Sequence, residues 1–334
     1  MIYLENDRLI IRFPEIHPNA GVSIDLQRTL RLPDDGKFYD LPPGKGSFPL
    51  RHIEDYDLGE QNALKDRGGL IMPMFQADAL WINFETCNQD TAIGDYPVAI
   101  KIATGKACAL TGKNWSEGLS DEPQNYLVVP EQPWLDGYNV GKDLVRQFVA
   151  APLGEGVTTE EQLNSTADVG GIQIQAFPMK RDYFDKLRSS QIDDGMNVVF
   201  NMVLPMPDFM GLAPGGFMHQ EVYDDPYELD AWDQSQSEKC FITIANANQW
   251  MDITNEAPPL SPASAEQYTA AGLPWFSYYD EDKRAIDGAK KLGRLKSFQK
   301  AYAEKGQTQW SEETLKNNPN VVPLGSRSIS SGNW

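Results

Sequence analysis

One acidic segment holds the residues best suited to bind a metal ion. Residues 219–233 contain no Lys or Arg. Their candidate ligands for calcium, an ion that prefers carboxylate oxygens, are Asp224, Asp225, Glu228, Asp230 and Asp233. The segment lacks the D-x-[DN]-x-[DN]-G spacing of an EF-hand loop. Two interpretations therefore stay open: a calcium-stabilised module and a solvated acidic loop.

The same carboxylates also allow carbohydrate chemistry. Asp230 and Asp233 lie close in sequence to Trp232, and Glu131 lies close to Trp134. Glycosidases use a pair of carboxyl groups about 5–5.5 Å apart in retaining enzymes and about 6.5–9.5 Å apart in inverting ones. This spacing depends on the fold, so a carbohydrate-active or carbohydrate-binding protein is an alternative hypothesis. Under this hypothesis, the metal ligands or acid–base groups are Asp224, Asp225, Asp230 and Asp233.

Common catalytic motifs are absent from the sequence. It has no phosphate-binding G-x-x-x-x-G-K-[ST], no G-x-S-x-G nucleophile elbow and no H-E-x-x-H zinc motif. The glycine-rich residues 211–216 do not match G-x-G-x-x-G and are predicted to form a tight connection. His52, with Glu54 two residues on, is the best candidate base among three histidines. Neither a catalytic residue nor a cofactor is predicted. The absence of these motifs favours a non-enzymatic protein.

A basic segment complements the acidic one. Residues 283–305 carry eight Lys or Arg residues against Asp287 and Glu304. This segment can meet residues 219–233 within one chain or on another copy, and head-to-tail contacts between copies give rings or filaments. The leading hypothesis is therefore a self-associating structural or scaffold protein. Its candidate contact residues are Lys290, Lys291, Arg294 and the terminal Trp334.

The elements that must position these residues are mostly strands. In residues 22–27, Val, Ile and Leu alternate with Ser, Asp and Gln, which is the period of a half-buried strand. Further strands are predicted near residues 8–13, 70–75, 79–84, 96–103, 126–129, 144–151, 171–177, 197–204 and 240–245. A turn at residues 33–36 followed by Phe38 predicts a hairpin. Residues 41–46, with two prolines, are predicted to be a loop.

Helices are expected mainly near the C-terminus. Short ones are predicted from Thr158, over residues 181–189 and between Ser261 and Gly272, and the clearest covers residues 280–303. The fold class is mainly β or α+β, with a β-sandwich or jelly-roll-like core and a helical C-terminal portion. We expect a β-rich domain over residues 1–257 and a helical portion with a polar tail over 258–334, which together can form one cooperative unit.

Composition limits the partners. The chain has 48 acidic and 29 basic residues, a net charge of −19, which repels nucleic acid and anionic membranes. Without a signal peptide or a long apolar run, we expect a soluble protein with no membrane insertion. The three cysteines form no paired motif and predict buried thiols in a reducing, cytoplasmic environment.

Four stretches, taken together, resemble a family of uncharacterised microbial proteins. They are residues 130–137, 145–154, 170–174 and 271–276. The resemblance covers most of residues 25–295. It implies no activity, ligand or catalytic residue, but it favours a single cooperative unit.

Overall fold

The computed structural model describes residues 1–56, 67–88, 94–165, 168–188, 210–259, 264–278, 280, 282–307 and 321–324. These residues form mostly antiparallel β-sheet with few helices, which confirms a mainly β or α+β class. The strands are β1 (Ile2–Glu5), β2 (Arg8–Arg12), β3 (Gly21–Thr29), β4 (Phe38–Tyr39), β5 (Gly44–Ser47), β6 (Arg51–His52), β7 (Leu70–Pro73), β8 (Ala79–Thr86), β9 (Val98–Thr104), β10 (Ala107–Cys108), β11 (Leu127–Val129), β12 (Trp134–Leu135), β13 (Gly137–Gly141), β14 (Leu144–Pro152), β15 (Ile172–Pro178), β16 (Met210–His219), β17 (Glu238–Ala245), β18 (Trp275–Tyr278) and β19 (Val321–Leu324). The helices are α1 (Thr159–Asn164), α2 (Arg181–Arg188), α3 (Ala247–Thr254), α4 (Ala265–Ala270), α5 (Lys290–Gly293) and α6 (Phe298–Glu304), and 3₁₀ turns lie at Ile53–Asp55 and Leu229–Ala231.

One extended sheet contains nearly all of these strands. Its antiparallel hydrogen bonding runs from β1 through β2, β3, β8, β14, β16, β17, β15 and β9 to β11. Two pairings in it are parallel, β4 with β16 and β7 with β17. A separate parallel pair joins β18 to β19.

The two ends of this sheet share one hydrophobic core. Ile24 and Ile82, from β3 and β8, belong to the same buried cluster as Ile100, Ile174 and Ile242, from β9, β15 and β17. Alternation along each strand directs these side chains inward, and burial of apolar surface stabilises the fold by roughly 25 cal/mol per Å². The core therefore fixes the register of β3 and β8, and with it the direction of their polar side chains.

The predicted hairpin at residues 33–39 is wrong. Phe38 in β4 pairs with Phe217 in β16, in parallel orientation. β3 pairs instead with β5, which begins inside the predicted loop and ends one residue beyond it. Pro42 and Pro43 precede β5, so they remove no donor from its hydrogen-bonding ladder.

The glycine-rich residues 211–216 lie inside a strand, β16, and do not form the predicted tight connection. Close neighbours explain the glycines. A Cβ atom on Gly215 would lie 2.5 Å from Val149 Cγ2, and one on Gly216 would lie 2.5 Å from the Pro33 carbonyl oxygen. The glycines therefore allow adjacent chain segments to approach β16 closely.

The long helix predicted over residues 280–303 is also wrong, and the predicted helical C-terminal portion is not confirmed. Short helices α5 and α6 lie at the end of this range, while the preceding residues bond to other parts of the chain. The Asp224 amide donates to the Arg284 carbonyl at 2.7 Å, and the Ile286 amide donates to the Val222 carbonyl at 2.8 Å. A Cβ atom on Gly288 would lie 1.8 Å from the Gly141 nitrogen, so this close approach requires glycine.

Four predictions stay open. The sandwich or jelly-roll arrangement and the division after residue 257 are untested, although Leu292 and Trp275 belong to the same cluster as the strands. The predicted strand at 197–204 lies outside the described residues, as does Trp334.

Candidate functional site

A row of polar side chains lies on the outer side of β3 and β8. Val22, Ile24 and Leu26 point into the core, so the alternate residues of β3 point the opposite way. Asp25 lies directly across from Asn83, and Gln27 lies across from Trp81. We call this surface the polar face; it consists of Arg8 from β2, Ser23, Asp25 and Gln27 from β3, and Trp81, Asn83 and Glu85 from β8.

Arg8 joins the two carboxylates of the polar face. Its Nη1 lies 2.7 Å from Glu85 Oε2, and its Nε lies 3.6 Å from Asp25 Oδ2. Asn83 donates to Glu85 Oε1 at 3.1 Å. The side chains of Arg8 and Glu85 remain 26% and 17% exposed, whereas that of Asp25 is 1% exposed. A ligand can therefore reach Arg8 and Glu85, and Asp25 supports Arg8 from behind.

Burial is the main influence on the pKa of Asp25. Removal from water raises the pKa of this carboxyl, while hydrogen bonds from Ser47 and Gln27 and the charge of Arg8 oppose the rise. The Gln27 amide donates to Asp25 Oδ2 at 2.6 Å. The amide orientation of Gln27 is thereby fixed, with its oxygen pointing away from Asp25.

Three polar atoms on this face are buried without a hydrogen-bond partner among the described residues: Asp25 Oδ1 and Gln27 Oε1, which are acceptors, and Trp81 Nε1, a donor. Gln27 Oε1 and Trp81 Nε1 both lie near Gly44. A Cβ atom on Gly44 would lie 3.2 Å from Gln27 Oε1 and 3.5 Å from Trp81 Nε1. Leaving a buried polar atom unpaired costs about 1–3 kcal/mol. A hydroxyl group both donates and accepts, so it has the chemistry to pair with either of these two atoms.

Aromatic rings continue the surface beyond Trp81. The Trp81 and Trp134 ring centroids are 6.4 Å apart with an interplanar angle of 79°, and those of Trp134 and Tyr278 are 4.9 Å apart at 61°. All three side chains are half-buried. We call these three residues the aromatic row. A crevice of about 10 Å³ between Trp134, Tyr278, Gln132 and Glu221 lies at its end and has the size of a single water molecule.

A buried acid lies next to the aromatic row. Asp136 is 3% exposed, and its Oδ2 atom has no hydrogen-bond partner within the described parts of the chain. Burial raises the pKa of Asp136 to about 7, and a hydrogen bond with the Trp134 side chain opposes the rise. Near neutral pH this carboxyl is therefore partly protonated.

The acidic segment 219–233 does not gather its carboxylates into one site. Asp225 Oδ2 accepts hydrogen bonds from the Tyr126 hydroxyl at 2.5 Å and from Trp232 Nε1 at 2.7 Å. The Tyr227 amide donates to Asp225 Oδ1 at 2.8 Å. Asp225 therefore holds this segment to the strand region before β11, which is a structural role.

The other predicted calcium ligands have separate partners. Asp224 lies 3.5 Å from Arg284, and Asp230 lies 2.8 Å from Lys180. Asp233 accepts hydrogen bonds from the amide and hydroxyl of Ser235, and Glu228 is exposed. In the described parts of the chain, no group of three or more His, Cys, Asp or Glu residues could hold a metal ion. Calcium binding stays a prediction without geometric support here.

The predicted carbohydrate residues divide into two places. Trp134 belongs to the aromatic row. Glu131 accepts a hydrogen bond from the Tyr227 hydroxyl, and its carbonyl accepts one from Lys283 at 2.9 Å. Trp232 is buried against Tyr227, with ring centroids 6.0 Å apart. Glu131 and Trp232 therefore form a packed cluster rather than a ligand surface.

The predicted contact residues Lys290, Lys291 and Arg294 are exposed on and beside α5. Lys291 donates to the Gly112 carbonyl at 3.3 Å. Among the residues that the structure describes, no ion pair joins any of the three to a carboxylate. By contrast, Arg284 meets the acidic segment within the same chain, through Asp224.

Sequence reasoning missed Arg8, Trp81 and Glu85. The alternation in residues 22–27 predicts a half-buried strand but does not indicate what its polar side faces. Residues 80–85 alternate in the same way, with Trp81, Asn83 and Glu85 between apolar residues. If β3 and β8 pair, their two alternating patterns place their polar residues on one face of the sheet. This match between the two segments is the sequence signal for the polar face.

Comparisons with protein-family models, curated proteins and solved structures found no match. Among the described residues, no helix is long and apolar enough to cross a membrane.

Proposed function

We propose that the chain is a non-enzymatic binding protein that takes carbohydrate at the polar face and the aromatic row. The observation that supports this function is the pair of unsatisfied atoms, Gln27 Oε1 and Trp81 Nε1, which both lie near Gly44. A sugar hydroxyl has the donor and the acceptor that this pair requires.

The surrounding side chains fit the other features of a sugar. The half-buried rings of Trp81, Trp134 and Tyr278 present apolar surface, to which the C–H faces of a pyranose can pack. Arg8 and Glu85 are partly exposed beside them and can bond to further hydroxyls. Aromatic surface combined with fixed polar groups is typical of small-ligand sites.

Binding is favoured over hydrolysis for a geometric reason. Asp25 has the raised pKa that a general acid needs, but its side chain is 1% exposed and lies behind Arg8. Glu85 is held by Arg8 and Asn83. A substrate would have to displace Arg8 before it reached Asp25, so these carboxylates orient Arg8 for binding.

An array of neutral glycans, followed by calorimetric titration of each hit, tests this function. Trp81→Phe keeps an aromatic ring, although a smaller one, and removes the donor, and Gly44→Ala fills the space beside it. Each change should weaken binding about tenfold, which corresponds to the loss of roughly one hydrogen bond. Trp115→Phe, a half-buried tryptophan outside the polar face, is the matched control and should bind normally. Absence of any glycan hit, or equal affinity in all variants, would refute the proposal.

Self-association is a second candidate function, supported by one observation. Lys290, Lys291 and Arg294 are exposed cations without a carboxylate partner among the described residues, in a chain of net charge −19. We infer that this patch can contact an acidic surface of another copy, which would make the chain a scaffold component. Such a contact is compatible with a sandwich or jelly-roll form of the sheet, which we also propose.

A further inference from the structure

A cavity of about 170 Å³ lies between β9, β10 and residues 111–125, away from the polar face. Its walls include Lys101, Cys108, Lys113, Trp115, Ser120 and Asn125. The segment folds over the strands through backbone hydrogen bonds, from Cys108 to the Lys113 carbonyl at 2.9 Å and from Trp115 to the Lys106 carbonyl at 2.7 Å. The cavity is thus built by ordered backbone.

Lys101 supplies a buried positive charge to this cavity. It is 2% exposed, and its Nζ donates to the carbonyls of Ser116 and Gly118. The same atom lies 4.8 Å from the centroid of the Trp115 ring. An ammonium group has three donors, and the two carbonyls use two of them. The third can serve an occupant of the cavity.

The charge around the cavity selects for an anion. Lys113 is a second cation in the wall, and no Asp or Glu belongs to the wall among the described residues. The nearby Glu117 is paired with Lys239. In a chain of net charge −19, two lysines therefore line this cavity without a carboxylate among the described residues of its wall.

The apolar residues of the cavity wall indicate that the uncharged part of the ligand is apolar. Ile102, Pro123 and Trp115 add apolar surface to it. The volume is close to the roughly 150 Å³ of an engineered apolar cavity that binds benzene in another protein. We propose that this cavity binds a small planar organic anion, an aromatic carboxylate of the size of benzoate, with its carboxylate toward Lys101 and Lys113.

Calorimetric titration of the full chain with benzoate, and in parallel with its uncharged analogue benzamide, tests this site. Benzoate should bind with a Kd of about 1 mM or tighter, and benzamide at least about tenfold more weakly. Absence of benzoate binding at about 10 mM, or equal binding of the two compounds, would overturn the proposal.

Variants locate the binding without disturbing Lys101, whose loss could release residues 116–118. Ser120→Phe should fill the cavity and abolish benzoate binding, and Lys113→Gln should weaken it severalfold. Lys142→Gln removes an exposed lysine elsewhere and should leave the affinity unchanged. If Ser120→Phe folds normally by circular dichroism and still binds benzoate as the unmodified chain does, the ligand is bound elsewhere and the assignment is wrong.

Discussion

Two buried aspartates differ in what surrounds them. Asp78 pairs with Arg28, whose guanidinium lies between the rings of Phe48 and Phe75 at 5.6 and 5.5 Å. Burial raises the pKa of Asp78 to about 6, and the charge of Arg28 opposes the rise. Burial raises the pKa of Asp136 to about 7, and no cation opposes it. Ionisation of Asp136 therefore carries a desolvation cost without a compensating ion pair.

This cost predicts a pH-dependent effect of Asp136→Asn. The unfolded chain releases the proton near its ordinary pKa of 3.8, whereas the folded chain holds it up to about 7. The free energy of unfolding therefore falls as the pH rises through this window. Asparagine does not ionise, so the variant does not lose stability in this way. At about pH 8 it should therefore be more stable than the unmodified chain, by up to about 4 kcal/mol.

Urea denaturation of both chains between about pH 4 and pH 8 measures the effect. The advantage of the variant should shrink toward zero at the acidic end. Asp143→Asn, an exposed position, is the control and should change little at any pH. A variant that is less stable at every pH would show that the carboxylate form of Asp136 is needed.

At the scale of elements, close packing overrides helical periodicity in residues 280–303. The apolar spacing there is typical of a helix, and α5 and α6 preserve short parts of it. Just before α5, the chain lies against β13, with the Ala289 amide donating to the Asn139 carbonyl at 3.0 Å. The apolar periodicity indicates which residues are buried. It does not indicate that Gly288 packs directly against the backbone of Gly141.

Gly288→Ala should therefore destabilise the fold, by about 2 kcal/mol or more, because the new methyl group meets backbone that cannot move freely. Gly293→Ala is the matched control. Its Cβ atom would lie 3.6 Å from Val140, an ordinary contact, and alanine favours the end of α5 by up to about 1 kcal/mol. Thermal unfolding of the two variants gives the comparison. Equal melting temperatures would contradict the packing explanation.

Strand prediction succeeded where burial and alternation agree. The predicted ranges correspond to β2, β3, β7, β8, β9, β11, β14, β15 and β17. The short helix predicted from Thr158 is also confirmed, and Thr158 caps it in a capping box with Glu161. Local sequence did not predict which strands pair with each other. Phe38 meets Phe217, which is distant in sequence, and nothing in residues 33–39 encodes that choice.

The same limit applies to the candidate site at the scale of the whole molecule. Trp134 was selected from sequence because acidic residues are near it in the chain, yet its neighbours in space are Trp81 and Tyr278. Arg8 and Glu85 come together only through the pairing of β2, β3 and β8. A site assembled across strands cannot be read from spacing along one segment.

Self-association is a property of the whole charge distribution. Copies with a net charge of −19 repel one another, so a contact requires the basic patch to face an acidic surface. Such a contact weakens as salt shortens the screening length, which is about 10 Å at 0.1 M. We predict a native mass above the 37.4 kDa of one chain at low salt, falling toward it at high salt. Light scattering after size-exclusion chromatography measures both.

Charge reversal makes this prediction specific to the patch. Lys290→Glu with Arg294→Glu should give the monomer mass at both salt concentrations. Lys37→Glu with Lys142→Glu changes the net charge equally at exposed positions elsewhere, so it separates a local contact from general repulsion. If both double variants dissociate alike, net charge alone governs assembly. A mass of 37.4 kDa for the unmodified chain at every salt concentration would refute the proposed self-association. That result would not bear on the proposed carbohydrate and anion sites, because the residues of each site lie within one chain.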